Sequence, residues 1–309
     1  MFDALSYPFI QNALIAGSCF AIVAAFIGYF LIIRGLSFAG HALPNIAFAG
    51  AAGAVMLGIA PVYGLFTFTI GAGIGIALLG RKTGERDITI GVIMTFALGL
   101  GLMFLSLYSG YAERVYSILF GAILGVSQSD VLTSIVWSLL VFVMLLLVFR
   151  PLLFSSFDPE VAEARGVPMQ ALSIGFMILL AITVSISIQI VGALLLFTLL
   201  IGPAATASRI FQRPVWAILL ACGLGVVYIW FSVIMAFEFQ DGSWPVSFYL
   251  ATISFAVYLP VRLLSSLWQG RGSRKRQERS DNGEGVLIPH KEEEVQAEYR
   301  PDLTEQASR

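Results

Sequence analysis

Along most of the chain, apolar residues come in runs of about 20 separated by short polar punctuation, the length that crosses a bilayer core of roughly 30 Å. Such runs lie near Ala13 to Ile33, Ala39 to Gly58, Val62 to Leu79, Ile88 to Tyr108 and Val131 to Phe149. Four more lie near Met169 to Gln189, Val191 to Ser208, Val215 to Phe237 and Val246 to Val261. No period-two alternation marks them as barrel strands, and an unpaired backbone group in lipid is costly, so the runs predict helices. Val191 to Ser208 contains Gly202 and Pro203 and reads as either a full span or a broken, partly re-entrant one. The expectation is an all-α, polytopic membrane bundle of eight or nine spans occupying residues 1–265.

Basic residues favour the cytoplasmic side of a membrane when counted in short loops. A nine-span arrangement puts Arg34, Arg81, Lys82, Arg86, Arg150, Arg165, Arg209, Arg213 and Arg262 on one side and only Arg114 on the other. That side is assigned to the cytoplasm, which leaves the N-terminus outside and the C-terminal tail inside. The first span is expected to be retained, because no basic residue precedes Arg34 and no small-residue cleavage site follows the run.

Composition sharpens the picture. Hydrophobic residues make up 58% of the 309 positions and charged residues 12%, against about 25% charged in soluble domains. The mean hydropathy is +0.87. Residues 266–309 differ, holding eight of the 18 Lys/Arg and nine of the 19 Asp/Glu with few large apolar side chains. Such a segment is expected to stay a hydrophilic, disordered cytoplasmic tail. Its Arg271 to Arg279 cluster is a candidate contact for anionic membrane lipid.

A formal net charge of −1 argues against nucleic acid as a partner. No Gly-rich phosphate loop ends in Lys and Ser/Thr, so any ATP is expected to be handled by another subunit and the chain itself is expected not to be an enzyme. With only His41 and His290 present, no catalytic residue and no resident cofactor are expected. Cys19 and Cys222 both lie inside apolar runs, as small hydrophobes do in helix packing.

Three segments carry chemistry. In the first, His41 and Asn45 stand four apart on one helix face, near the start of an otherwise apolar span, with Pro44 between them. A polar pair there faces a wet interior, where imidazole and an amide oxygen are a candidate transit site for a divalent metal. Alternatively, His41 bonds to a neighbouring helix and Asn45 satisfies backbone groups that Pro44 frees.

In the second, Phe157, Asp158, Pro159, Glu160 and Gly166 predict one short cytoplasmic helix. Asp158 is its N-cap, Pro159 its first residue, and Gly166 its stop. It is either a bare loop helix or a rigid knob for a soluble partner. The third segment, Gln189 to Arg209, holds Thr198 and Thr206, whose hydroxyls bond back to carbonyls or line a pore.

These residues together resemble the permease subunit of the zinc, manganese and iron uptake ABC transporters, over about Phe9 to Arg262. The resemblance rests on Arg34 to Gly50, on Gly84-Glu-Arg-Asp-Ile-Thr-Ile-Gly91 with Phe120-Gly-Ala-Ile-Leu-Gly125, and on Phe157-Asp-Pro-Glu160 to Gly166-Val-Pro168. Val191-Gly192 and Gly202-Pro-Ala-Ala-Thr-Ala207 complete it. The resemblance implies a plasma-membrane permease that works as a dimer of two copies. A cytoplasmic ATP-binding subunit would power it and an external metal-binding protein would feed it. It makes Phe157 to Pro168 the element seated in the ATPase.

One stretch departs from the family pattern. Where relatives read Gly-Asp-Ala-Leu-Ser-His, this chain reads Gly40-His41-Ala-Leu-Pro-Asn45, so the carboxylate is missing and the imidazole has moved. The surviving imidazole favours Zn²⁺ over Mn²⁺ or Fe²⁺. A permease for a chelated metal or other small solute, and a membrane scaffold or sensor without transport, remain as alternatives. Glu113, Arg114, Glu238 and Asp241 are candidate contacts for the external protein.

Overall fold

The computed structural model describes residues 7–80, 83–108, 125–238 and 244–281; for 83–85, 190, 194 and 266–281 it describes the backbone alone. The described residues form ten helices. These are α1 (Pro8–Ile33), α2 (Ser37–Met56), α3 (Pro61–Leu79), α4 (Thr83–Leu107), α5 (Gln128–Phe157), α6 (Pro159–Ala164), α7 (Met169–Val191), α8 (Ala193–Ile210), α9 (Pro214–Glu238) and α10 (Val246–Asp281). Seven are long and apolar enough to cross a membrane. The expectation of eight or nine spans exceeds that count for physical reasons. In α2, His41, Pro44 and Asn45 dilute a helix of otherwise sufficient length, and the apolar stretch Leu195–Ile210 of α8 is short.

The chain divides into two units, Met1–Leu263 and Leu264–Arg309. In the first, α1 is the central post, with Ala13, Phe20, Ala24, Ile27 and Phe30 buried as it packs against α5, α8 and α9. A second group forms where α2 packs on α3 and α4. Gly50 of α2 and Gly64 of α3 let these backbones meet, since a Cβ on either would collide with the other's carbonyl. Deep in the bundle, Thr69 Oγ1 of α3 lies 2.6 Å from Ser185 Oγ of α7. Each hydroxyl thereby avoids being stranded in an apolar core. The outward sides of α4 and α5 expose Val92, Phe96, Leu139 and Leu147, the composition a lipid-facing surface takes.

Several helix limits differ from the apolar runs. α5 begins at Gln128, before Val131, because Ser127 and Asp130 form a capping box: Asp130 N donates to Ser127 Oγ at 3.3 Å and Ser127 N to Asp130 Oδ2 at 3.0 Å. It also continues through Arg150 and Pro151 to Phe157, since the charge of Arg150 interrupts an apolar run but not the hydrogen-bond ladder. α8 runs unbroken through Gly202 and Pro203. The interruption of this segment falls earlier, at Gly192 with φ 89°, which alone separates α7 from α8. The last helix runs past Ser266 to Asp281.

Candidate functional site: a polar pair on α2 and a capped knob between α5 and α7

On α2, Ala42, Leu43, Pro44 and Ile46 are buried, whereas His41 is exposed and Asn45 half-buried. The imidazole of His41 meets the Phe197 ring of α8 edge to face, with centroids 4.8 Å apart. Asn45 Nδ2 donates to the His41 carbonyl oxygen at 2.9 Å and lies 4.0 Å from Met94 Sδ of α4. Pro44 lacks the N–H that would meet the Gly40 carbonyl, yet the helix is continuous around it. The amide therefore satisfies the carbonyl of His41 rather than the one that proline frees.

Among the described residues, no cluster of three or more His, Cys, Asp or Glu side chains is placed to hold a metal ion. What the chain presents here is an imidazole and an amide one turn apart on α2, the imidazole packed against Phe197 of α8. Thr206 of α8 is taken up locally, its Oγ1 donating to the Gly202 carbonyl at 2.9 Å. Phe197, Thr198, Ile201 and Gly202 form one side of a mainly apolar groove of about 350 Å³ that continues along Ala251 and Phe255.

The second cluster is one compact element. Asp158 ends α5 and caps α6, its Oδ1 accepting from Val161 N at 3.1 Å. Pro159 occupies the first helical position and Glu160 the first turn, where a carboxylate is favoured by the helix dipole. The helix closes when Gly166 N donates to Glu163 O at 2.9 Å and Val167 N to Ala162 O at 3.1 Å. Gly166 stands at φ 80°, a conformation side-chain-bearing residues rarely adopt.

Ala162 is fully buried and pins α6 to the bundle, while Phe157, at 59% exposed, and Val161 project outward. Arg165 stacks over Phe154, 5.7 Å from the ring centroid. Phe157, Asp158, Pro159, Glu160 and Gly166 are thus gathered into one rigid, exposed knob, and His41 with Asn45 into a separate pair.

Sequence reasoning missed the neighbours of both clusters. Met94 and Phe197 sit in apolar runs and give no signal of their own, and Arg34 registered only as a topological charge. Phe120 to Leu124, Glu113, Arg114, Asp241, Arg81, Lys82 and His290 lie outside the described residues.

An all-helical bundle with apolar helices of membrane length and a capped knob at one end defines a polytopic membrane protein. The chain belongs to the ABC 3 transport family, whose description matches residues 6–262. It is 33% identical over 254 residues to the manganese transport system membrane protein MntC of Listeria monocytogenes, covering 82% of this chain and 90% of that protein. It is 29% identical to a protein named as a probable iron transport system membrane protein of Haemophilus influenzae, covering 78% and 89%. Among solved structures, it is similar to a chain of PsaBC from Streptococcus pneumoniae in complex with Fab. That match has a TM-score of 0.74 and 27% identity, over 84% of this chain and 93% of that one. The apolar helices and the family together make it a multi-pass protein of the plasma membrane.

Proposed function

We propose that this protein is the membrane subunit of an importer for a divalent transition-metal ion, driven by a separate ATP-hydrolysing subunit. The observation that carries this reading is the knob of Asp158 to Gly166: a short helix capped at both ends, anchored through Ala162 and exposed elsewhere. Such an element transmits force without bending. Closure of an ATPase dimer on it would tilt α5 and α7, the helices it joins, and so switch the pathway between its two open states. The chain itself hydrolyses nothing in this scheme.

Manganese or iron is the cargo we infer. The preference for zinc drawn from the imidazole finds no support in the two relatives described above, which are named for manganese and iron transport. The donor chemistry agrees, because the Asn45 amide oxygen is a hard ligand of the kind Mn²⁺ accepts, and imidazole suits Fe²⁺. Two copies, a binding protein on the outer side and a tail facing the cytoplasm complete the reading. The path would run along the His41 and Asn45 faces of both copies. A weak pair of neutral donors suits transit, since a site that conducts must also release.

The test is reconstitution into sealed vesicles with an ATP-hydrolysing subunit and an external binding protein of the same kind of transporter. Radioactive manganese, iron and zinc would be offered separately. ATP-dependent accumulation of manganese or iron supports the reading, and accumulation of zinc alone, or of none, contradicts it.

A further inference from the structure

α1 ends at Ile33, α3 at Leu79, and α4 begins at Thr83, all at the end of the bundle that carries the knob. Between these ends and the start of α7 opens a cleft of about 1090 Å³. Arg34 and Arg86 line it together with Ser155 and Ser156 of α5, Glu163 of α6 and Ser173 of α7. Arg34 is held from below: its guanidinium carbon stands 5.6 Å over the centroid of Phe176, and Nη1 donates to Ser155 Oγ at 3.3 Å. Arg86 Nε donates to the Gly80 carbonyl at 2.9 Å.

Each guanidinium spends one nitrogen on a neutral protein group, and among the described residues neither forms an ion pair with a carboxylate. Glu163 lines the same cleft but pairs with neither. Two like charges therefore share one partly desolvated space. Burial, with a smaller contribution from Arg86, lowers Arg34 from its ordinary range to about 10, which leaves it a cation near neutral pH. Their unused N–H donors form planar forks that match oxyanions.

We infer that this cleft binds a phosphate-bearing anion between Arg34 and Arg86. The same chemistry is offered by the phosphodiester of an anionic lipid headgroup and by free phosphate. Arg34 directly follows the membrane-length helix Pro8–Ile33 and Arg86 opens the apolar stretch Arg86–Leu107, so both guanidiniums stand at the ends of membrane-length helices, where lipid headgroups lie. An anion there relieves the repulsion between the two cations and ties the ends of α1 and α4 together beside the knob. The inference is independent of the cargo and of transport itself.

The test is thermal unfolding of the full chain in an uncharged detergent, with phosphatidylglycerol, phosphatidylcholine, inorganic phosphate or glutamate added at matched ionic strength. Phosphatidylglycerol is expected to raise the midpoint and phosphatidylcholine to leave it unchanged. A matching rise with inorganic phosphate assigns the site to free phosphate, and a rise with phosphatidylglycerol alone assigns it to lipid. Arg86→Gln should lose most of the rise, whereas Arg150→Gln, an exposed arginine elsewhere on α5, should keep it. Native mass spectrometry supplies a second readout, with bound phosphatidylglycerol on wild type that Arg86→Gln lacks. Absence of any rise, an equal rise with glutamate, or full retention in Arg86→Gln by both measurements overturns the inference.

Discussion

The Asn45 side-chain nitrogen donates to the carbonyl oxygen of His41, one turn back on α2, at 2.9 Å. A carbonyl only accepts, so this contact fixes which end of the amide faces it. Oδ1 is thereby turned away, and among the described residues nothing donates to it. The result is a hard oxygen donor left uncommitted one turn from His41, on a helix where Ala42, Leu43, Pro44 and Ile46 are buried.

If the cargo passes this pair, His41→Ala lowers kcat/KM for manganese or iron uptake by about tenfold, the equivalent of roughly 1.4 kcal/mol of lost transition-state interaction. Asn45→Asp puts a carboxylate where this chain has a neutral amide. It should lower KM and kcat together, because a dication held by a carboxylate leaves more slowly. Uptake kinetics with both variants check this, and unchanged constants in both would place the path elsewhere.

Asp158→Ala removes the acceptor for Val161 N, a cap worth about 1 kcal/mol. The knob frays while the bundle stays folded. ATP hydrolysis by the assembled complex should respond less to cargo and binding protein, with the amount of protein in the membrane unchanged. Asp158→Asn, which can still cap, should restore most of the response.

Gly166→Val forces a β-branched residue to φ 80°, at a cost of about 1–3 kcal/mol of backbone strain. Nothing else lies within 4 Å of the Cβ position, so the effect is on conformation and not on packing. The expected outcome is normal membrane insertion with reduced co-purification of the ATPase. Wild-type recovery of the complex would detach this turn from docking.

Gly50→Leu places a side chain against the Gly64 carbonyl and must push α2 from α3. Overpacking of this kind destabilises by about 1–3 kcal/mol. A lowered thermal midpoint in detergent is expected, and Gly71→Leu, at a position with open space, serves as the neutral comparison.

Much of the fold was legible because membrane helices announce themselves by length and apolarity. The limits were not, where other forces set them. The Ser127–Asp130 capping box starts α5 early, and its helical ladder carries on past Arg150, whose charge interrupts the apolar run but not the backbone hydrogen bonds. Gly202-Pro203 left both an unbroken span and a broken one open; a proline inside a packed helix is tolerated, and the chain is interrupted instead at Gly192. The short helix Pro159–Ala164 and its caps were readable in full, since Asp-Pro at its start and Gly at its end are local signals that need no tertiary context. The partners of His41, Asn45 and Arg34 were not: Phe197, Met94, Phe176 and Arg86 are brought to them by packing between distant helices, which no local pattern encodes.

The most direct measurement is uptake of radioactive manganese and iron by sealed vesicles holding this chain with its binding protein, with and without the ATP-hydrolysing subunit. Accumulation that appears only with that subunit and ATP, and falls with Asp158→Ala or Gly166→Val, is the predicted result. Equal accumulation in vesicles that lack the subunit would contradict the account.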